Sequence, residues 1–145
     1  MAVERTANAV WEGDLMGGSG TVSTQSGVVS NATVKWSSRA EQADENTSPE
    51  ELIAAALATC VSMALSHGLA QAGTPPRRIE TEATATFDQV GEGFRMTTIQ
   101  LSIRGQVDGL DEDGFREAAE GAKENCPVSQ ALKGNVDVSL DASLS

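Results

Sequence analysis

The chain has 145 residues and a formal net charge of −11 at pH 7, which argues against unspecific binding to nucleic acids or acidic membranes. The length predicts a single domain over residues 1–145, and such a chain can bury about 68–70% of its unfolded surface without needing a disulfide or a metal ion to fold. The first residues lack the apolar segment of a signal peptide, so we expect a cytoplasmic protein.

The first third of the sequence is rich in β-branched residues and in small residues that favour turns. It predicts strands at residues 9–15, 21–24 and 28–36, with a turn at 16–20 between the first two and candidate turns at 26–27 and 30–31. The polar and acidic residues 40–47 follow, and we expect them to form an exposed loop.

The most distinctive segment is a predicted helix over residues 48–73. The Ser48 hydroxyl can accept a hydrogen bond from an unpaired backbone N–H at the start of the helix. Pro49 suits the first helical position, because a residue there needs no backbone N–H for the helix. Gly73 is a typical residue to end the helix. Residues 52–65 contain no charge, and a helix that is apolar on all sides is expected to be buried in a protein core. The segment is rich in alanine, and we expect no membrane span in the chain.

After this helix, alternating apolar and polar residues predict a hairpin of two strands, at 79–88 and 94–107, with a turn at 90–93. In the second strand, the apolar residues first have even numbers and then odd numbers. One extra residue would keep them on the same face of the sheet, which predicts a bulge near Thr97 or Thr98. The remaining predicted elements are helices at 110–125 and 128–133 and a last strand at 135–144. Hairpins with separately placed helices indicate an α+β fold.

The chain has two cysteines, Cys60 in the middle of the apolar helix and Cys126 far along the sequence. They do not form a CxxC motif. Cys60 alone is typical of a small buried apolar residue. Cys126 precedes Pro127, which favours the first position of a helix, so we expect Cys126 at an N-cap, where backbone N–H groups favour its thiolate. In a reducing compartment, this arrangement favours a pair of cysteines that react with each other.

Two segments carry a family resemblance: TSPEELIAAALATCVSMALS at residues 47–66 and NCPVSQAL at residues 125–132. They resemble the central helix and the second cysteine motif of the OsmC/Ohr family, named after osmotically inducible protein C and organic hydroperoxide resistance protein. The segment GSGTVSTQSGVV at residues 18–29 is similar to the OsmC branch, and Arg39 lies where that branch has its active-site arginine. The resemblance covers essentially the whole chain.

The resemblance implies antiparallel sheets wrapped around a long buried central helix in an intertwined homodimer. It also implies a thiol-dependent peroxidase that reduces organic hydroperoxides and, more slowly, hydrogen peroxide. The Cys60 thiolate would become a sulfenic acid, Cys126 would convert it to a disulfide, and a lipoyl-type dithiol would reopen the disulfide. Arg39 would lower the pKa of Cys60, and Glu50 would hold Arg39. No cofactor and no metal ion are expected.

Geometry adds an expectation about assembly. Ten residues of a straight helix rise roughly 15 Å, so Glu50 does not reach Cys60 along its own helix. We therefore expect Arg39, Glu50 or both to act on the partner subunit's Cys60.

Two alternatives remain open: a non-catalytic redox-sensing or ligand-binding dimer with the same cysteines, and a structural protein with two inert thiols. His67 is interpreted as a core or interface histidine, and the acidic runs 41–45 and 111–113 as solvated surface.

Overall fold

A computed structural model describes all residues from 1 to 145. The chain forms two compact units, unit 1 (Met1–Leu52) and unit 2 (Ile53–Ser145). The elements of unit 1 are β1 (Ala7–Glu12), β2 (Ser19–Thr24), β3 (Ala32–Val34) and α1 (Trp36–Ala40). The helix α2 (Pro49–Gln71) begins in unit 1 and continues through unit 2. Unit 2 also contains β4 (Arg78–Val90), β5 (Gly93–Gln106), α3 (Glu112–Asn125), α4 (Pro127–Leu132) and β6 (Asp137–Leu144).

Unit 1 is built on an antiparallel sheet in the order β1-β2-β3. The predicted strand 28–36 is wrong in its extent, because only three of its residues pair as β3 and Trp36 begins α1. Gly27 and Asn31 adopt left-handed backbone conformations, with φ of 77° and 50°. These conformations are incompatible with an extended strand, so the connection from β2 to β3 is a loop.

The long predicted helix is confirmed as α2. The Ser48 hydroxyl accepts a hydrogen bond from the Glu51 N–H at 3.1 Å, and Gly73 follows the helix with φ of 89°. Within the single chain, however, the expectation of burial on all sides is wrong. One stripe of α2 in unit 2 is buried: Ala54, Leu57, Val61, Leu65 and Leu69. The opposite side is open to solvent, because the other elements of unit 2 pack against one face only.

This exposed apolar surface bears on the expectation that the chain has no membrane span. By length and composition, α2 is long and apolar enough to cross a bilayer, so that expectation fails on this criterion. The core helix of a soluble protein passes the same test, so a single helix of this kind is weak evidence for a membrane span.

The hairpin of unit 2 agrees closely with the sequence pattern. β4 and β5 are antiparallel and are joined by a two-residue turn between Val90 and Gly93. Their register changes once: Thr86 pairs with Thr98, and the next residue of β4, Phe87, pairs with Met96. Thr97 is therefore the extra residue of a bulge, as the change in apolar parity predicts.

The third strand of this sheet corrects one expectation about topology. β6 pairs with β5 in parallel, from Thr98↔Asp137 to Gly105↔Leu144, so the sheet of unit 2 is mixed and not antiparallel throughout. The chain passes through α3 and α4 between these strands, and such a crossover returns it to the same end of the sheet. Helices together with mixed and antiparallel sheets confirm the α+β class.

The core of unit 2 lies between the sheet and the helices. The buried stripe of α2 packs in one cluster with alternate residues of β5 and with one face of α3. Phe115 is the largest of the completely buried side chains. Cys126 is also completely buried in this cluster, and Cys60 packs against it. The core of unit 2 therefore brings both cysteines into the same region.

Candidate active site

A charged pair in unit 1 consists of Arg39 in the last turn of α1 and Glu50 in the first turn of α2. Arg39 Nε donates to Glu50 Oε1 at 2.9 Å, and Nη2 donates to Oε2 at 3.0 Å. The Glu50 side chain is 11% exposed, and that of Arg39 is 34% exposed. Two parallel charge-assisted hydrogen bonds fix the plane of a guanidinium, so Glu50 orients Arg39.

The loop after α1 is held by a network that the sequence analysis missed. The buried Ser38 donates its hydroxyl to Asp44 Oδ2 at 2.9 Å, and the Asn46 N–H donates to Asp44 Oδ1 at 2.9 Å. The Asn46 N–H, followed by the Ser38 hydroxyl, lowers the pKa of Asp44 below its ordinary value. An aspartate often accepts a hydrogen bond from the backbone N–H two residues later. The pattern Asp-x-Asn could therefore have predicted this contact from the sequence.

An apolar cavity of about 400 Å³ lies within unit 1. Trp11, Trp36 and Leu52 are among its lining residues, and Arg39 also contributes to its wall. The cavity therefore combines a large apolar surface with the guanidinium that Glu50 orients.

In unit 2, Cys126 occupies the junction between α3 and α4. Its N–H donates to the Ala122 carbonyl at 3.0 Å, and its sulfur accepts the Ser129 N–H at 3.3 Å. The expected N-cap position is therefore confirmed, with Pro127 as the first residue of α4. The Cys126 thiol also donates to Ser129 Oγ, with 3.2 Å between the two atoms.

Cys60 is half-buried on α2, and its thiol interacts with the backbone N–H of Val128 and with the side chain of Cys126. Burial raises the pKa of Cys60 above its ordinary value, and the neighbouring Cys126 raises it further. The Val128 N–H acts in the opposite direction because it favours the thiolate. The net shift is upward, opposite to the low pKa that a reactive thiolate requires, so an additional positive charge is needed to activate this sulfur.

The structure thus brings the four predicted site residues together as two pairs, Arg39 with Glu50 in unit 1 and Cys60 with Cys126 in unit 2. Both cysteines are free thiols. His67 is exposed on α2. Two thiols that interact directly can be joined by oxidation to a disulfide with limited movement.

Comparison with known proteins identifies the family of the chain. Residues 42–141 match a family model described as OsmC-like protein. The chain is 43% identical over 144 residues to peroxiredoxin OsmC of Escherichia coli K12, with 99% of each chain covered. The chain belongs to the OsmC-like family.

Two further relatives place the chain within this family. It is 30% identical over 126 residues to the organic hydroperoxide resistance protein OhrB of Bacillus subtilis, covering 86% of this chain and 90% of OhrB. The crystal structure of an organic hydroperoxide resistance protein OsmC from Legionella pneumophila is 25% identical and superposes with a TM-score of 0.77, with 99% of each chain covered. The higher identity to the Escherichia coli protein agrees with the OsmC branch, and the fold is that of the OsmC-like proteins.

Proposed function

We propose that this protein is a thiol-dependent peroxidase, a single OsmC-like domain over residues 1–145 that reduces organic hydroperoxides and, more slowly, hydrogen peroxide. The observation that carries the proposal is the direct interaction of the Cys60 thiol with Cys126 in the core of unit 2. Relatives named peroxiredoxin and organic hydroperoxide resistance protein support peroxide-related redox chemistry. Both thiols must be reduced at the start of the cycle, which fits a cytoplasmic location.

In the first step, the Cys60 thiolate attacks one oxygen of the hydroperoxide. The O–O bond breaks, the sulfur takes the hydroxyl group and becomes a sulfenic acid, and the alkoxide takes a proton from solvent and leaves as the alcohol. Because burial raises the pKa of Cys60, we assign its activation to the guanidinium of Arg39. The same cation stabilises the negative charge that develops on the leaving oxygen, and Glu50 keeps the guanidinium in orientation.

In the second step, the Cys126 sulfur attacks the sulfenic sulfur of Cys60. A disulfide forms, and the sulfenic oxygen leaves as water. A dithiol, which the family resemblance indicates to be of the lipoyl type, then reduces the disulfide by exchange. The cycle uses the side chains of this chain and an external dithiol.

The preference for organic substrates rests on the apolar cavity of unit 1. A cavity of about 400 Å³ with two tryptophans in its wall can bury the hydrocarbon part of a hydroperoxide near Arg39. Each buried CH₂ group contributes about 0.8 kcal/mol to binding. Hydrogen peroxide has no such group and therefore gains nothing from this surface.

We also assign the protein to a homodimer. Met63 is 69% exposed on the apolar helix α2, and in unit 1 Leu15 and Met16 are 52% and 70% exposed. Apolar surface of this kind is expected to be covered, and a second copy of the chain is the partner that the family fold implies. Since ten residues of a helix rise roughly 15 Å, Arg39 and Glu50 then act on the partner subunit's Cys60. A fully active monomer in gel filtration would contradict this assignment.

The proposal is tested by turnover with cumene hydroperoxide and dihydrolipoamide. Cys60→Ser should abolish turnover, and Cys126→Ser should allow overoxidation of Cys60 or a mixed disulfide with the dithiol. Consumption of one equivalent of peroxide without recycling would favour a redox sensor. Substantial turnover by Cys60→Ser would refute the assignment of the nucleophile.

A further inference from the structure

The surroundings of Cys126 point to a role for Ser129 that the peroxidase cycle alone does not assign. Cys126 is completely buried, and Ser129 contacts its sulfur twice. The Ser129 hydroxyl accepts a hydrogen bond from the Cys126 thiol at 3.2 Å, and the Ser129 N–H donates to the same sulfur at 3.3 Å. A serine hydroxyl can both accept and donate, so it can bond to the thiol and also to the thiolate.

Formation of the disulfide requires a route for a proton. Cys126 must lose its thiol proton when it attacks Cys60, yet its side chain has no access to solvent. Ser129 is 8% exposed and also lines a polar depression of about 240 Å³. Lys123, Glu124 and Lys133 contribute to this depression. Ser129 therefore contacts the buried sulfur and also borders this polar depression.

We propose that Ser129 is a positioning and proton-transfer residue for Cys126. Its hydroxyl takes the thiol proton while it releases its own proton to water in the depression, and it then donates a hydrogen bond to the thiolate. The thiolate forms the S–S bond, the S–O bond of the sulfenic acid breaks, and the departing hydroxide takes a proton from solvent to become water. The inference rests on the proposed disulfide chemistry.

The test measures the resolving step by itself. Fully reduced protein is mixed with one equivalent of cumene hydroperoxide, quenched with acid at increasing times, and analysed by intact mass for sulfenic acid and disulfide. Ser129→Ala should slow disulfide formation about tenfold, equivalent to about 1.4 kcal/mol, and leave consumption of the peroxide unchanged. Ser129→Thr keeps a hydroxyl and should stay within about twofold of the wild type. The matched control is Ser139→Ala, at an exposed position of β6.

The pH profile separates proton transfer from a purely structural role. In Ser129→Ala, disulfide formation should accelerate with rising pH and approach the wild-type rate, because loss of the hydroxyl opens a path from the depression by which hydroxide reaches the sulfur and removes the thiol proton. If the substitution only misplaced Cys126, disulfide formation would stay slower than in the wild type by the same factor at every pH. A wild-type rate for Ser129→Ala at neutral pH, uniform slowness across pH, or failure of threonine to restore the rate would each overturn the inference. Absence of the disulfide in the wild type would instead overturn the proposed function.

Discussion

Replacing Gly105 with alanine tests the packing that places Cys126 beside Cys60. Gly105 is buried in β5 and faces Phe115 of α3, the helix that ends at Cys126. A Cβ atom at position 105 would lie 2.4 Å from Cε1 and 2.5 Å from Cζ of the Phe115 ring. Carbon atoms in contact are ordinarily about 3.5–4.0 Å apart, so the ring or the helix must move by about 1 Å.

The expected loss of stability follows from this overlap. Overpacking of a core costs about 1–3 kcal/mol, and we expect the upper end, about 3 kcal/mol, because the ring is completely enclosed. The free energy of unfolding is measured by urea denaturation at one fixed protein concentration, since association would make stability depend on concentration. The control is Gly121→Ala, on the same helix with no atom within 4 Å of the added Cβ. It should stabilise the protein by about 0.5–1 kcal/mol through helix propensity.

A double variant shows whether the ring is the cause. In Gly105→Ala combined with Phe115→Leu, the smaller side chain leaves room for the added methyl group. The double variant should therefore be less destabilised than the sum of the single variants by about 1 kcal/mol. A loss below about 0.5 kcal/mol for Gly105→Ala, or strictly additive losses in the double variant, would refute the steric reasoning.

Three further predictions concern the site and the assembly. Glu50→Gln should lower kcat/KM for cumene hydroperoxide about tenfold or more, because Arg39 loses its charged partner. The control variant Glu51→Gln, at the exposed neighbouring position, should keep wild-type kinetics. Equal losses in the two variants would contradict a specific role for the Arg39–Glu50 pair. In Arg39→Gln, the pH at which Cys60 reacts with iodoacetamide at half its maximal rate should rise. Only the thiolate reacts, and burial raises the pKa of this thiol when no cation opposes the effect. An unchanged half-maximal pH would exclude Arg39 as the activating cation. Met63→Glu should shift the elution position in gel filtration towards that of the monomer and should reduce turnover, because it puts a charge on the exposed apolar face of α2. A variant that elutes as an unchanged dimer would place the interface elsewhere.

Features that depend on local rules could be predicted from the sequence. The start of α2 follows from Ser48 and Pro49, whose effects involve only neighbouring backbone groups. The bulge at Thr97 follows from the parity of apolar residues along one strand. The N-cap at Cys126 follows from the proline after it. The same capping rule identifies Ser129, the third residue of α4, as the donor to Cys126, and this step was available from the sequence.

Features that depend on distant parts of the chain could not be predicted in this way. The parallel pairing of β6 is determined by the crossover through α3 and α4, not by the strand itself. The upward pKa shift of Cys60 arises from burial and from Cys126, which only the fold brings close. The pairing of Arg39 with Glu50 was expected from the family resemblance, because no spacing rule links a short helix to the next helix through an acidic loop.

The most direct test of the central claim is the intact mass of the reduced wild-type protein after addition of one equivalent of cumene hydroperoxide. We expect a loss of two hydrogens, about 2 Da, and peptide mapping should locate the new disulfide between Cys60 and Cys126. A gain of one or more oxygens with no Cys60–Cys126 disulfide, or no change in mass, would contradict it.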